Sequence, residues 1–267
     1  MLSTQNLLKR RGNKSNLAKV IQAYFPSHDC YVEPFFGAGG MFFNKQPAPY
    51  NILNDLDSEI YNLFNVVTEQ KQELSDFLEL MPLHADLLKY WLDNLEHEPV
   101  KKAARFLFQS NLILPPTRDL PRRPYDNSKK LLINNLEPTE NFLKNTNCRF
   151  FNEDFRIFLD RMDFRYGYRN KEIVKTFIYC DPPYVDTSHN YSHGFKKQDF
   201  IDLLDVLEKV SKTYCSYAIS EFDHPFVIES AKERGLNIIY LGERQVFKSR
   251  STEILITNYE SLQLSLF

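Results

Sequence analysis

The sequence predicts an α/β protein built on a seven-stranded, mostly parallel sheet whose last strand runs antiparallel, and three observations carry that expectation. Seven short β-like runs recur along the 267 residues. Most are separated by segments with apolar residues at helical spacing, the pattern of strands laid parallel by helical crossovers. The last two runs are joined by ERQVFKSRS, which has no helical pattern, so the final strand is expected to fold back as a hairpin.

In chain order the strand candidates are YVEPF (31–35), YNILN (50–54), CRFFN (148–152), KTFIYC (175–180), TYCSYAIS (213–220), LNIIYLG (236–242) and TEILITNY (252–259). The crossover between the fourth and fifth is typical: Phe200, Leu203, Leu204 and Leu207 fall on one face of a helix. One interval breaks the rhythm. From about Thr68 to Asn147 no strand is expected, and the segment reads as three helices followed by the proline- and cation-rich loop LPPTRDLPRRPYDNSKK. A connection this long within one sheet marks a functional insertion. The chain is therefore divided into a first part of a main domain (1–68), an inserted helical subdomain (69–147) and the second part of the main domain (148–267).

Composition bounds the class. A hydrophobic fraction of 43% and a charged fraction of 25% are ordinary for a globular protein and argue against disorder or a coiled coil. No apolar stretch approaches the roughly 20 residues that span a bilayer, and the start, MLSTQNLLKRRGNK, puts its basic residues after its leucines. A cytoplasmic protein of a bacterial or phage-infected cell, with no membrane partner, is the expectation. Cys30, Cys148, Cys180 and Cys215 form no C-x-x-C pair, and three sit in or beside strand-like runs, which suits reduced, buried thiols. The net charge of -2 means that any nucleic-acid surface must come from local clustering of Lys and Arg.

Four stretches carry chemistry. In VEPFFGAGGMFFN a strand ends at Glu33, Pro34 and Phe35, and Gly37, Gly39 and Gly40 permit a tight turn against which a small cofactor can approach the backbone. A purely structural glycine turn would read the same way. Asp55 closes the second strand about twenty residues later, placed to accept hydrogen bonds from ribose hydroxyls, although Asp55 or Asp57 could instead cap the following helix. After the third strand, Asp154 could take an adenine amino group while Phe155 covers the ring, or Asn152 or Asp154 could be a helix cap.

The fourth stretch is D-P-P-Y, Asp181 to Tyr184. Pro182 and Pro183 lack N–H groups and end the strand rigidly, leaving the Asp181 carboxylate and the Pro182 carbonyl as two neighbouring acceptors. Two acceptors suit an exocyclic amino group, because bonds to both its N–H groups favour the pyramidal nitrogen of an attacking transition state. Tyr184 offers a face for a planar base.

In this order the four stretches resemble the amino-methyltransferases that use S-adenosylmethionine. With the insertion placed before D-P-P-Y, the chain is similar to the alpha group of DNA adenine-N6 methyltransferases, the Dam-like kind. The resemblance extends to LLKRRGNKSNL, which supplies Gly12, Asn13 and Lys14, to SYAISEFDHPF, with Glu221 where asparagine is common, and to RSTEILITNY. It implies a class I methyltransferase fold, S-adenosylmethionine as cofactor with Lys14 on its methionine carboxylate, and an adenine flipped from duplex DNA into the D-P-P-Y pocket. Flipping is also required physically, since N6 of a paired, stacked adenine is out of reach of an in-line methyl donor. The loop after Tyr184 is expected to close over the base, and Tyr191 on it is counted as a DNA contact. His189 and His193 lack companions at metal-ligand spacing, so no metal is expected.

Target recognition is assigned to the insertion, where Arg118, Arg122, Arg123, Lys129 and Lys130 cluster for phosphates or guanine edges, with a merely solvated loop as the alternative. A cognate restriction endonuclease would be a functional partner. Methylation of RNA adenine or of cytosine N4 in DNA is the rival chemistry, and a non-catalytic nucleic-acid-binding protein is the rival class.

Overall fold

The computed structural model describes residues 7–8, 13–82, 84–112, 126–162, 174–185, 194–212, 215–246 and 249–260. Seven strands form one sheet: β1 Cys30–Glu33, β2 Tyr50–Asn54, β3 Cys148–Phe151, β4 Thr176–Cys180, β5 Cys215–Phe222, β6 Asn237–Val246 and β7 Ser249–Thr257. Their order is β3-β2-β1-β4-β5-β7-β6, and β7 is antiparallel to both its neighbours while the other pairings are parallel. The strands and the terminal hairpin anticipated from the sequence are thus the ones formed.

Strands β1 and β4 are buried at every position and sit at the centre, where helices on both faces exclude water. Side-chain alternation divides their residues between two cores. On one face Tyr31, Leu53, Phe177, Tyr179, Ala218 and Leu255 pack beneath helices α2 Ser58–Glu69, α3 Lys71–Leu80, α4 Ala85–Asp93, α5 Pro99–Leu112 and α6 Asp126–Asn145. On the other, Val32, Ile178, Cys180, Tyr217, Ile219 and Ile254 pack beneath α7 Phe155–Asp160, α8 Lys197–Val210 and α9 Pro225–Glu233. A short helix, α1 Ala18–Gln22, precedes β1. Cys30, Cys180 and Cys215 are buried free thiols, and Cys148 is half-buried.

The interval between β2 and β3 is helical, as expected, with two differences. A further helix, α6, begins inside the stretch assigned to a loop and runs for 20 residues despite Pro138 in its interior. Proline removes one backbone donor, but Leu132, Leu136 and Leu143 bury one face of the helix, and that burial outweighs the lost bond. The inserted helices also share their core with the sheet: Leu74, Leu78, Trp91, Phe108 and Leu136 belong to the same cluster as Tyr31 and Phe36. No described helix is long and apolar enough to cross a membrane.

The chain runs outward through β1, β2 and β3, then returns to place β4 on the other side of β1. At such a reversal the loops leaving the two central strands diverge and leave a crevice at the carboxyl edge, where ligands of doubly wound sheets bind. The glycine turn leaves β1 there, and D-P-P-Y leaves β4.

Candidate active site

Asp181 follows the last residue of β4 and keeps about a fifth of its side chain exposed. Its partner is Lys14, whose ammonium lies 2.9 Å from Asp181 Oδ1 and 3.4 Å from Oε1 of Glu253 on β7. Lys14 begins a single turn, Lys14–Asn16, capped by Asn13, whose side-chain oxygen accepts from the Ser15 backbone N–H at 3.0 Å and the Ser15 hydroxyl at 2.7 Å. The lysine is buried, so its charge must be met by the carboxylates around it. Lys14, which the sequence resemblance sets on the methionine carboxylate of the cofactor, stands here against these two side chains.

Tyr184 is held from several sides. Its ring is buried, with the Lys14 ammonium 4.5 Å from the centroid and Phe222 meeting it at 88° with centroids 4.5 Å apart. The stacking face foreseen from the sequence is therefore covered on one side by a cation. The Tyr184 hydroxyl donates to Glu253 Oε1, and the next residue, Val185, donates its backbone N–H to Glu221 Oε1 of β5 at 3.1 Å. Strand alternation puts Glu253 on the sheet face of Leu255 and Glu221 on that of Ile219. One carboxylate from each face thus holds D-P-P-Y. Burial pushes the Glu221 carboxyl well above the usual range, and the nearby Asp181 charge adds to the rise. The Tyr184 phenol is raised by burial first and then by Asp181.

Around the glycine turn the geometry is equally specific. Gly37 and Gly39 adopt φ of 55° and 71°, left-handed values that side-chain-bearing residues rarely hold. Asp55 Oδ2 accepts from the Gly37 N–H at 2.7 Å, and its Oδ1 accepts from the Asp57 N–H at 2.9 Å. Capping of α2 falls to Asp57, which accepts from Glu59. Glu33 is buried, accepts from the Tyr31 hydroxyl at 2.9 Å, and is driven well above the ordinary carboxyl range chiefly by burial, with the Asp181 charge adding to it. Lys45, 4.3 Å over the Tyr31 ring, is lowered by burial to about 8. Pro34 is buried and Phe35 half-buried.

Asp154 is the cap of α7, accepting from the Arg156 N–H at 2.9 Å and pairing with its guanidinium at 3.0 Å. Of the two roles left open by the sequence, the structure displays capping. Phe155 packs against Phe35 at 5.3 Å and Phe195 at 6.2 Å, an aromatic wall beside the glycine turn.

Sequence reasoning missed Asn54, Glu253 and Glu221 as site residues. Asn54 is buried at the end of β2, donating to the carbonyls of Pro34 and Glu153 at 3.0 Å and accepting from the Glu153 N–H at 3.1 Å. It ties together the carboxyl ends of three strands. A polar residue closing an apolar strand, directly before Asp55, was the available signal.

Of the expected DNA contacts, Arg118, Arg122, Arg123 and Tyr191 lie outside the described residues, as do Gly12, His189 and His193. Lys130 is exposed on α6. Lys129 donates through its ammonium to the carbonyls of Glu79 and Met81 at 2.6 and 2.8 Å, at the end of α3. A cleft of about 620 Å³ lined by Asn65, Thr68, Glu69 and residues 143–148 lies at the amino end of β3, the opposite edge of the sheet, and none of the motif residues line it.

With this geometry in hand, the likeness to known proteins can be read. A family profile described as "D12 class N6 adenine-specific DNA methyltransferase" matches residues 11–246. A DNA adenine methylase of Serratia marcescens is 31% identical over 202 residues, 70% of each chain. The type II methyltransferase M1.LlaDCHI of Lactococcus lactis subsp. cremoris is 24% identical over 286 residues, 94% of each chain, and the DNA adenine methylase of Escherichia coli (strain K12) is 24% identical over 256 residues, 90% of this chain and 88% of that one. The profile spans both strands of the central crevice and the insertion between them, and the chain belongs to the D12 class N6 adenine-specific DNA methyltransferases, enzymes of site-specific DNA adenine methylation.

Proposed function

We propose that this methyltransferase takes its methyl group from S-adenosylmethionine and delivers it to an adenine rotated out of duplex DNA, with Asp181 holding the reacting nitrogen. The observation that carries the proposal is the position of Asp181 at the switch point, one strand away from the glycine turn, with about a fifth of its side chain exposed.

The residues present fit such a donor. A Cβ built on Gly37 would meet nothing within 4 Å, so the turn borders open space on that side. The Asp55 carboxylate, fixed beside the glycine turn by the Gly37 and Asp57 N–H groups, suits ribose hydroxyls by its place, and the Phe35, Phe155 and Phe195 rings suit the flank of an adenine. Glu33, Pro34 and Gly39 shape the floor of the turn. When bound, S-adenosylmethionine supplies an electrophilic methyl carbon on a sulfonium.

Asp181 and the Pro182 carbonyl accept the two N–H bonds of the adenine amino group and draw its lone pair out of conjugation. The pair so freed would face the electrophilic methyl carbon that a bound donor would supply, whose bond to sulfur would be given up to the sulfur as the N–C bond formed. The cationic amino group then yields its proton to solvent. Pro183 stiffens the backbone beneath, and Tyr184 borders the base. Because the nitrogen gains positive charge as it attacks, a carboxylate beside it lowers the barrier, and removing one such group costs on the order of 100- to 1000-fold in rate.

The reading also assigns target recognition to residues 69–147, with Arg118, Arg122, Arg123 and Lys130 on DNA, and the catalytic domain to residues 1–68 and 148–267. The type II relative supports a cognate restriction endonuclease as a functional partner, and bacterial relatives support a cytoplasmic site of action. Incubating the protein with labelled S-adenosylmethionine and duplex DNA, single-stranded DNA or RNA, then sequencing the modified bases, tests the proposal. N6-methyladenine at a fixed site in the duplex is expected. Labelling confined to RNA or to cytosine would refute it.

A further inference from the structure

We propose that Arg156 is a positioning residue for the adenine ring of the methyl donor: its guanidinium ties the first turns of α8 to the start of α7 and so holds Phe155 and Phe195 in one wall beside the glycine turn. The inference deepens the proposed binding of S-adenosylmethionine and rests on it.

Three rings from three separate connections meet in that wall. Phe35 follows β1, Phe155 opens α7 and Phe195 stands just before α8. Phe35 packs on Phe155 at 5.3 Å and meets Phe195 edge-on at 6.1 Å, and Phe155 lies 6.2 Å from Phe195. Phe155 and Phe195 are buried while Phe35 is half-buried, so the first two set where the third can lie. Helices α7 and α8 share no strand ladder, and side chains must fix their mutual position.

Arg156 supplies that link. Its Nε donates to Asp202 Oδ2 at 2.8 Å and its Nη2 to Asp199 Oδ1, both on α8, while Nη1 donates to Asp154 Oδ2 at 3.0 Å and Oδ1 at 3.3 Å. A planar guanidinium sends its donors in fixed directions, which a lysine ammonium cannot do. The guanidinium carbon lies 4.4 Å from the Phe155 centroid, so the same group rests on the ring it positions. Asp199 carries the link to Phe195, because its Oδ2 accepts the N–H of the next residue, Lys196, at 2.7 Å.

The bland alternative is an ion cluster that serves only the two helix starts. Those starts are satisfied without the guanidinium: Asp154 caps α7 through the Arg156 backbone N–H, and Asp199 accepts the Lys196 backbone N–H at the start of α8. With Arg156 35% exposed and its three partners 26–32% exposed, the pairs add little to global stability. Their effect is a common frame for two rings.

Calorimetric titration with S-adenosylmethionine, melting temperature and kcat on duplex DNA at saturating donor are measured for the parent, Arg156→Ala, Phe155→Leu and the double variant. Arg156→Ala is expected to bind the donor at least threefold more weakly, with kcat within twofold of the parent and a melting temperature within about 4 °C. Because Arg156 acts through the wall, the double variant should lose less than the product of the two single losses. Donor affinity of Arg156→Ala within threefold of the parent, or full multiplication of the two losses, would overturn the inference. Arg156→Lys keeps the charge without the planar fork, and the same threshold applies to it should Arg156→Ala fail to melt cooperatively. If the parent binds no S-adenosylmethionine, the donor reading falls and this inference with it; if Phe155→Leu is weakened and Arg156→Ala is not, only the role of Arg156 falls.

Discussion

Gly37 and Gly39 share a left-handed backbone, yet the structure predicts unequal consequences for replacing each with alanine. Holding an L-residue in that conformation costs about 1–2 kcal/mol, partly offset by about 0.4–1 kcal/mol from a less flexible unfolded chain. At Gly37 nothing else is added, because the new methyl would meet no atom within 4 Å. At Gly39 the methyl would lie 2.5 Å from Phe43 Cε2 and 2.7 Å from Phe36 Cζ, both rings of the buried core. Overpacking of this kind adds roughly 1–3 kcal/mol. Gly39→Ala should therefore lower the melting temperature by about 10 °C, and Gly37→Ala by only a few degrees. The open space beside Gly37 is where the methyl donor is proposed to lie, so Gly37→Ala should weaken its binding by at least about tenfold, some 1.4 kcal/mol. Thermal unfolding and calorimetric titration with S-adenosylmethionine decide the matter. Equal destabilisation by the two substitutions, or undiminished donor affinity in Gly37→Ala, would refute the reasoning.

Three further outcomes follow from the same geometry. Glu221→Gln keeps the acceptor for Val185 and removes a carboxyl raised by burial above its ordinary value of 4.5. Below that pH both folded and unfolded chains hold the proton, whereas above it only the unfolded chain ionises freely, so the native residue costs stability as pH rises. The variant should melt higher than the parent at pH 8, with the gain vanishing toward pH 4; a lower melting temperature at pH 8 would contradict the account. Asn54→Ala leaves the buried Glu153 N–H and the Pro34 and Glu153 carbonyls without that partner, and should cost roughly 2–4 kcal/mol in chemical denaturation. Replacing Arg122 and Arg123 together by alanine should flatten the dependence of DNA affinity on salt by about two units of log–log slope, and an unchanged slope would remove them from the DNA contacts.

Much of this architecture is legible in the sequence because the signals are local. Strands such as KTFIYC are short apolar runs with β-branched and aromatic residues, and β1, β2, β4 and β5 each end directly before a proline or an aspartate. The position of D-P-P-Y after one such run, and of the glycine turn after another, could therefore be read directly. Helix α6 could not, because Pro138 and its polar neighbours interrupt the local pattern, and only packing of Leu132, Leu136 and Leu143 on the core sustains it.

The illegible part of the site is the part assembled across the sheet. Lys14 beside a helix start reads as a solvated or ligand-binding cation, and nothing local foretells a carboxylate that follows β4 and another from β7. Glu253 in RSTEILITNY resembles any surface residue of an alternating strand, and its burial arises only when β7 inserts between β5 and β6. Asp154 shows the converse limit. Its local capping signal and its cofactor-like position coincide, so sequence alone could not separate them.

The central claim is that the Asp181 carboxylate, at the carboxyl end of β4 and paired with Lys14, orients the adenine amino group for attack. Methyl transfer and S-adenosylmethionine binding measured together on Asp181→Ala test it most directly. The account predicts a loss of turnover of at least about 100-fold with donor binding largely retained; turnover near that of the parent protein would contradict it.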